Sequence, residues 1–193
     1  MNPDEPVTLD DPQQMRALAH PARIAILKHL ALEGPATATE CAQIAGLSPS
    51  ACSYHLRSLA KYGFVEEDRE AAGDGRERPW RAKVRQLKVD TGPDTPPAVR
   101  AAGQMLVNTF RLSVDEIRAV YEDREADYPE DWSFGSYYLD IYVTPEEQVE
   151  LREQVTKLIT AYTRADKNDR PADSRRVMVN AEFLPTFSPE EAQ

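Results

Sequence analysis

Residues 39–65, TECAQIAGLSPSACSYHLRSLAKYGFV, leave the chain few ways to fold. Gly46 ends one helical pattern, and after Leu47 alone the next one begins at Ser48-Pro49. A glycine closes a helix because it takes the left-handed conformation at no steric cost. A serine before the first turn accepts an orphan backbone N–H, and proline at the first helical position loses no bond. Upstream, Thr37 and Glu40 stand at capping-box spacing and mark where the first of the two helices starts. Two short helices joined by so tight a turn are a helix-turn-helix.

On the second helix of the pair, residues 48–62, Cys52, Leu56 and Leu59 fall on an inner face. Ser50, Tyr54, Arg57 and Lys61 recur on the opposite side, with Ser53 beside them and Ser48 at the cap. This outer stripe consists of hydrogen-bond donors. Short hydroxyls near the N-terminus let a helix sit deep in a major groove about 12 Å wide, and an arginine can pair bidentately with guanine. Lys61, farther along, suits a phosphate. After Gly63, the segment FVEEDREAAGDGRERPWRA turns at GDG and predicts a two-stranded hairpin over about residues 64–83. Alternation there puts Arg76 and Arg78 on one side of a wing, able to meet backbone or minor groove.

The helices in front carry the support. DDPQQMRALAHPARIAILKHLALEG is apolar at helical spacing through Met15, Leu18, Ile24, Leu27 and Leu30, is divided at His20-Pro21, and stops at Gly34-Pro35. Pro, Gly, Asp and Thr cluster in VDTGPDTPP, residues 89–97, and predict a linker between domains 10–88 and 97–187. The second domain reads as a long helix over 98–127, a strand over 136–143, a helix over 145–163 and a strand over 175–184. The long helix carries Met105, Leu106, Val107, Phe110, Val114, Ile117, Val120 and Tyr121, a face wide enough for a two-fold partner to cover. The expected class is α+β, mainly helical: an N-terminal winged helix-turn-helix, a long dimerisation helix and a small strand-helix-strand unit. Both ends of the chain read as disordered.

Charge tests the nucleic-acid reading. With 23 Lys+Arg against 33 Asp+Glu the net is −10, which taken alone disfavours a polyanionic partner. The balance is uneven, however: residues 47–88 hold 9 basic and 6 acidic residues, while 91–193 hold 11 and 20. The reading helix and wing are therefore locally basic, and the local field acts first on a nearby phosphate. A winged helix used as a protein-interaction module, without sequence-specific DNA binding, is the competing reading, and the acidic total is its best argument.

Other classes find little support. No glycine-rich phosphate loop, no GxSxG elbow and no His/Cys cluster at metal spacing occurs, so neither catalysis, a metal nor a cofactor is expected. Cys41 and Cys52 lie eleven apart within helical patterns and read as small buried hydrophobes. His55 sits at the edge of the buried face as a structural histidine making one hydrogen bond. The acidic, proline-bearing start MNPDEPVTLDDP does not match a signal peptide, and no run of roughly eighteen apolar residues could span a bilayer. The expectation is a cytoplasmic protein with no membrane contact.

ALAHPARIAILKHL, CAQIAGLSPSACSYHLRSLAKYGFV and the following wing resemble the winged helix-turn-helix of ArsR-type bacterial repressors over about residues 10–85. The resemblance implies a homodimer on a short palindrome of double-stranded DNA, with affinity altered by an effector. It assigns DNA-facing positions to Ser48, Ser50, Ser53, Tyr54, Arg57 and the wing arginines. One departure matters: where metal sensors of that family place Cys-x-Cys, this chain has Glu40 and Ala42 with Cys41 between them, so metal sensing at that site is not expected. The aromatics of the second half either pack a small core and the dimer seam or line a pocket for a small organic effector. Tyr121, Trp132, Tyr138 and Tyr142 are the candidates, with a cationic ligand favoured by the acidic setting.

Overall fold

The computed structural model describes residues 6–68, 78–89, 94–124, 127–128, 135, 139–163 and 169–184. It is mainly helical, with six helices and two small sheets among the described residues. The chain divides into two compact units, Met1–Asp123 and Arg124–Gln193.

In the first unit, strand β1 (Val7–Leu9) leads into α1 (Pro12–Leu18) and α2 (Pro21–Glu33). Asp11 caps α1, its carboxylate accepting from the Gln13 N–H at 2.8 Å. The break at His20-Pro21 is where the sequence predicts it: the His20 side chain caps α2 through Nδ1, 3.2 Å from the Ala22 N–H. Then come α3 (Ala38–Ala45) and α4 (Pro49–Lys61). Thr37 and Glu40 form the full capping box, with Thr37 N–H on Glu40 Oε2 at 2.7 Å and Glu40 N–H on Thr37 Oγ1 at 3.3 Å. Gly46 takes φ +64°, and the Leu47 N–H returns to the Ala42 carbonyl at 2.9 Å, so the end of α3 is satisfied before the chain turns. Ser48 then accepts from the Ala51 N–H at 3.3 Å and starts α4.

The wing follows as β2 (Val65–Glu67) and β3 (Trp80–Ala82), antiparallel with Val65 opposite Ala82 and Glu67 opposite Trp80. Trp80 also exchanges two backbone hydrogen bonds with Ala36, tying the hairpin base to the chain between α2 and α3. The hairpin tip, including Arg76, lies outside the described residues. Beyond it, β4 (Leu87–Val89) pairs in parallel with β1, Val7 against Leu87. The N-terminal stretch expected to be disordered is thus anchored from Val7 onward, and Leu9 is buried in the core.

Helix α5 (Pro97–Asp123) starts within one residue of the predicted helix and ends four residues before its predicted end. A boundary at 89–97 would give α5 to the second domain, whereas Ala102 and Leu106 are buried in the same core as Met15, Leu18, Ile24, Leu56 and Leu59. The apolar stripe finds α1 and α2 as its cover, and Lys28 reaches Ser113 Oγ at 3.1 Å at the edge of that contact. The core sits behind α4 and buries the face bearing Cys52, Leu56 and Leu59. It therefore fixes which face of α4 is outward.

The second unit contains α6 (Pro145–Thr160), opened by the predicted Thr144–Glu147 capping box. Of the strands expected over 136–143 and 175–184, residues 136–138 lie outside the described residues, while 139–143 and 175–184 adopt no strand, and Leu139, Ile141, Val177, Val179 and Leu184 are exposed. Alternation marks which side of a strand would be apolar; it does not supply the neighbouring backbone that must take each N–H and C=O.

Candidate nucleic-acid interface

Four buried residues, Cys52, His55, Leu56 and Leu59, hold α4 against its support. Ser48, Ser50, Tyr54, Arg57 and Lys61 are all exposed, Tyr54 at 60%. Ser50, Tyr54, Arg57 and Lys61 lie along one side of the helix, as its 3.6-residue period requires, and Ser48 stands at its N-cap. Ser53 differs: it is half-buried and its hydroxyl donates to the Pro49 carbonyl at 2.9 Å, so toward any other partner it acts first as an acceptor. Ser48 and Ser50 lie hydroxyl to hydroxyl at 3.1 Å.

The basic groups fall into two sets. In the wing, Arg78 pairs with Glu67 at 3.2 Å, Arg81 with Glu66 at 2.8 Å and Lys83 with Glu66 at 3.4 Å. The Arg81 hydrogen bond, aided by Lys83, holds the Glu66 carboxyl below its ordinary range. Arg57 and Lys61 on α4 meet no carboxylate among the described residues; Lys61 Nζ lies 5.2 Å from the Tyr62 ring centre. Pairing damps the wing's positive field and leaves that of α4 intact.

Beneath α4 lies a small polar cluster. Arg23 donates through Nε to His55 Nδ1 at 3.3 Å and through Nη1 to the Ala17 carbonyl, and the His20 and His55 rings are 4.6 Å apart. His55 is thus a structural histidine with the one hydrogen bond expected of it. Burial lowers the readiness of both rings to take a proton, and Arg23 beside them adds to the effect; His20 does the same to His55. Because the folded state disfavours protonation, the unfolded state binds more protons once pH falls below about 6.5, and stability then declines. The thermal midpoint should therefore drop from pH 7.5 to 5.5. His55→Gln, which keeps an acceptor for Arg23 but cannot be protonated, should drop less over the same interval.

Cys41 and Cys52 are fully buried where α3 meets α4. Burial pushes the Cys41 thiol up to about 12 and raises Cys52 as well. Thiols this reluctant to ionise are poor nucleophiles. A native-state thiol assay should find both unreactive over minutes, and both reactive once denaturant is added.

An open concavity of about 580 Å³ lies beside the exposed row, between α1 and the C-terminal half of α4, and includes Arg16, Arg23, Tyr54, Arg57 and Lys61 in its lining. Sequence reasoning missed Arg16 on α1 and Arg23 on α2, because nothing in their spacing shows that these helices pack alongside α4. Of the four aromatics singled out for an effector, two are among the described residues. Tyr121 is half-buried on α5, Tyr142 is fully exposed in the second unit, and Trp132 and Tyr138 lie outside the described residues. Among the described residues no group of three or more His, Cys, Asp or Glu could hold a metal, and no helix is long and apolar enough to cross a membrane.

Comparison with known proteins agrees at the level of the domain. The helix-turn-helix domain family matches residues 18–68. No curated protein sequence matches the chain. Among solved structures, the chain is similar to the homodimeric winged helix-turn-helix DNA-binding domain of Mb0332 from Mycobacterium bovis, described as a possible ArsR-family transcriptional regulator. Identity is 21%, coverage is 61% of this chain and 85% of that one, and the TM-score is 0.32. A mutant of Lactococcus lactis ZitR in its apo form is similar at 18% identity, covering 78% and 88%, with a TM-score of 0.33. Wild-type ZitR in complex with DNA is similar at 17% identity, covering 74% and 75%, with a TM-score of 0.30. The assignment itself rests on the family match and on the α3–turn–α4 geometry: residues 18–68 are a helix-turn-helix domain, and the hairpin that β2 makes with β3 after α4 gives it a wing.

Proposed function

We propose that the protein is a sequence-specific DNA-binding transcriptional regulator, a homodimeric repressor that reads a palindromic operator through α4 and the β2–β3 wing. The observation that carries this reading is the exposed row Ser50, Tyr54, Arg57 and Lys61, with Ser48 exposed at the cap, on a helix whose other face is locked into the core. Arg57 stands where a guanine edge is read, Ser48, Ser50 and Ser53 let the helix seat closely, and Lys61 meets a phosphate. Arg78, after giving up Glu67, and Arg76 supply backbone or minor-groove contacts. Selection of bound genomic fragments by the purified protein, followed by sequencing, tests it. Recovery of a recurring inverted repeat is the expected result, and fragments with no shared motif would refute sequence-specific reading.

Dimerisation is assigned to α5. Ala102, Leu106 and Phe110 lie on the stripe that α1 and α2 cover, and Ile117 and Val120 continue the same stripe beyond Ser113 with their side chains exposed, as Met105 and Leu112 are nearby. A second copy covering these residues would set two α4 helices on successive major-groove turns about 34 Å apart. Light scattering should give about twice 21.7 kDa in solution, and Leu112→Asp with Ile117→Asp should halve that mass; a monomeric wild type would remove this part of the proposal. A small organic cation as effector belongs to the same proposal, and a thermal-shift screen of hydrophobic cations that finds no stabilisation would remove it.

A further inference from the structure

The concavity between α1 and α4 collects unpaired positive charge in a chain whose net charge is −10. Arg16 is exposed on α1, and Arg57 and Lys61 are exposed on α4; none of the three has a carboxylate partner among the described residues. Among the described residues no acidic side chain lines the concavity. Arg23, the fourth cation, is held rigidly by its bonds to His55 and the Ala17 carbonyl, so its guanidinium needs little ordering to meet a ligand. Gln13 and Tyr62 add a neutral amide and a phenol at the rim.

We infer that this concavity is a phosphate site, and that its occupant is a backbone phosphate of the DNA that α4 reads. The inference rests on the DNA-reading proposal and extends the footprint to α1, which that proposal leaves unused. A helix lying in the major groove has a phosphate ridge on either side. On the α1 side of α4, the ridge would meet Arg16 and Arg23 while Arg57 faces the bases. The cavity is open along the exposed side of α4, and Tyr54, Arg57 and Lys61 belong to both surfaces, so a polymer already seated on α4 reaches it without a separate entry path.

The test is the salt dependence of binding to a pool of short mixed-sequence duplexes, measured for the wild-type chain, Arg16→Ala and Arg57→Ala. Each phosphate neutralised contributes about 0.9 to the slope of log K against log salt. Arg16→Ala should lower the slope by roughly that amount and weaken binding several-fold on every sequence alike. If Arg16→Ala leaves slope and affinity unchanged while Arg57→Ala weakens binding, the phosphate site is overturned and α4 reading stands. If the wild type binds no duplex at all, both fall. A second arm replaces chloride by inorganic phosphate at constant ionic strength. Stabilisation of the wild type but not of Arg16→Ala, with a duplex slope indifferent to Arg16, would make the concavity a small-anion site and overturn its assignment to the DNA backbone.

Discussion

Arg57→Ala should flatten the difference between a selected operator and an unrelated duplex by about 1 to 3 kcal/mol, the discrimination one bidentate arginine–guanine contact supplies. The side chain is exposed and forms no ion pair among the described residues, so its removal should leave the thermal midpoint almost unmoved. Lys61→Ala should behave differently, lowering affinity for both duplexes alike and reducing the salt slope by about 1. Fluorescence anisotropy on the two duplexes separates these outcomes. Equal losses from both variants on both duplexes would mean that α4 touches only the backbone.

Leu106→Ala should destabilise the protein by about 2 to 5 kcal/mol, because a fully buried leucine leaves both lost transfer energy and a cavity. Leu106 stands at 0% exposure on α5, and the helices that cover it, α1 and α2, share one core with α4. A chemical denaturation curve should therefore shift as a whole for the unit Met1–Asp123. A boundary in the linker 89–97 predicts instead that the variant loosens α5 and leaves residues 10–88 at wild-type stability. Gln104→Ala, at an exposed polar position of α5 outside the proposed seam, is the control and should cost far less.

The helix-turn-helix was legible because its ends are written in local chemistry. Gly46 at positive φ, the Ser48 cap with Pro49 behind it, and the Thr37–Glu40 box all act within four residues of themselves. The exposed row of α4 was legible for the same reason: helical periodicity separates Leu56 and Leu59 from Arg57 and Lys61 without knowledge of anything else. What escaped depends on partners distant in sequence. The pairing of Val7–Leu9 with Leu87–Val89 involves three residues on each side, too few to show a period, across almost eighty positions. The stripe on α5 announced that it needed cover, but only the fold names α1 and α2 as that cover. The alternating runs around Ile141 and Val177 show the reverse failure, a pattern with no strand for it to pair with among the described residues. Arg16 and Arg23 join Arg57 and Lys61 for the same reason that α5 joins the core, through packing that no local spacing records.

Backbone amide shifts of the whole protein, followed by NMR as a selected duplex is added, examine the central claim residue by residue. The account predicts that the largest changes fall on residues 48–61 and the wing, with a second group around Arg16. Changes concentrated beyond residue 123, with α4 silent at saturation, would contradict it.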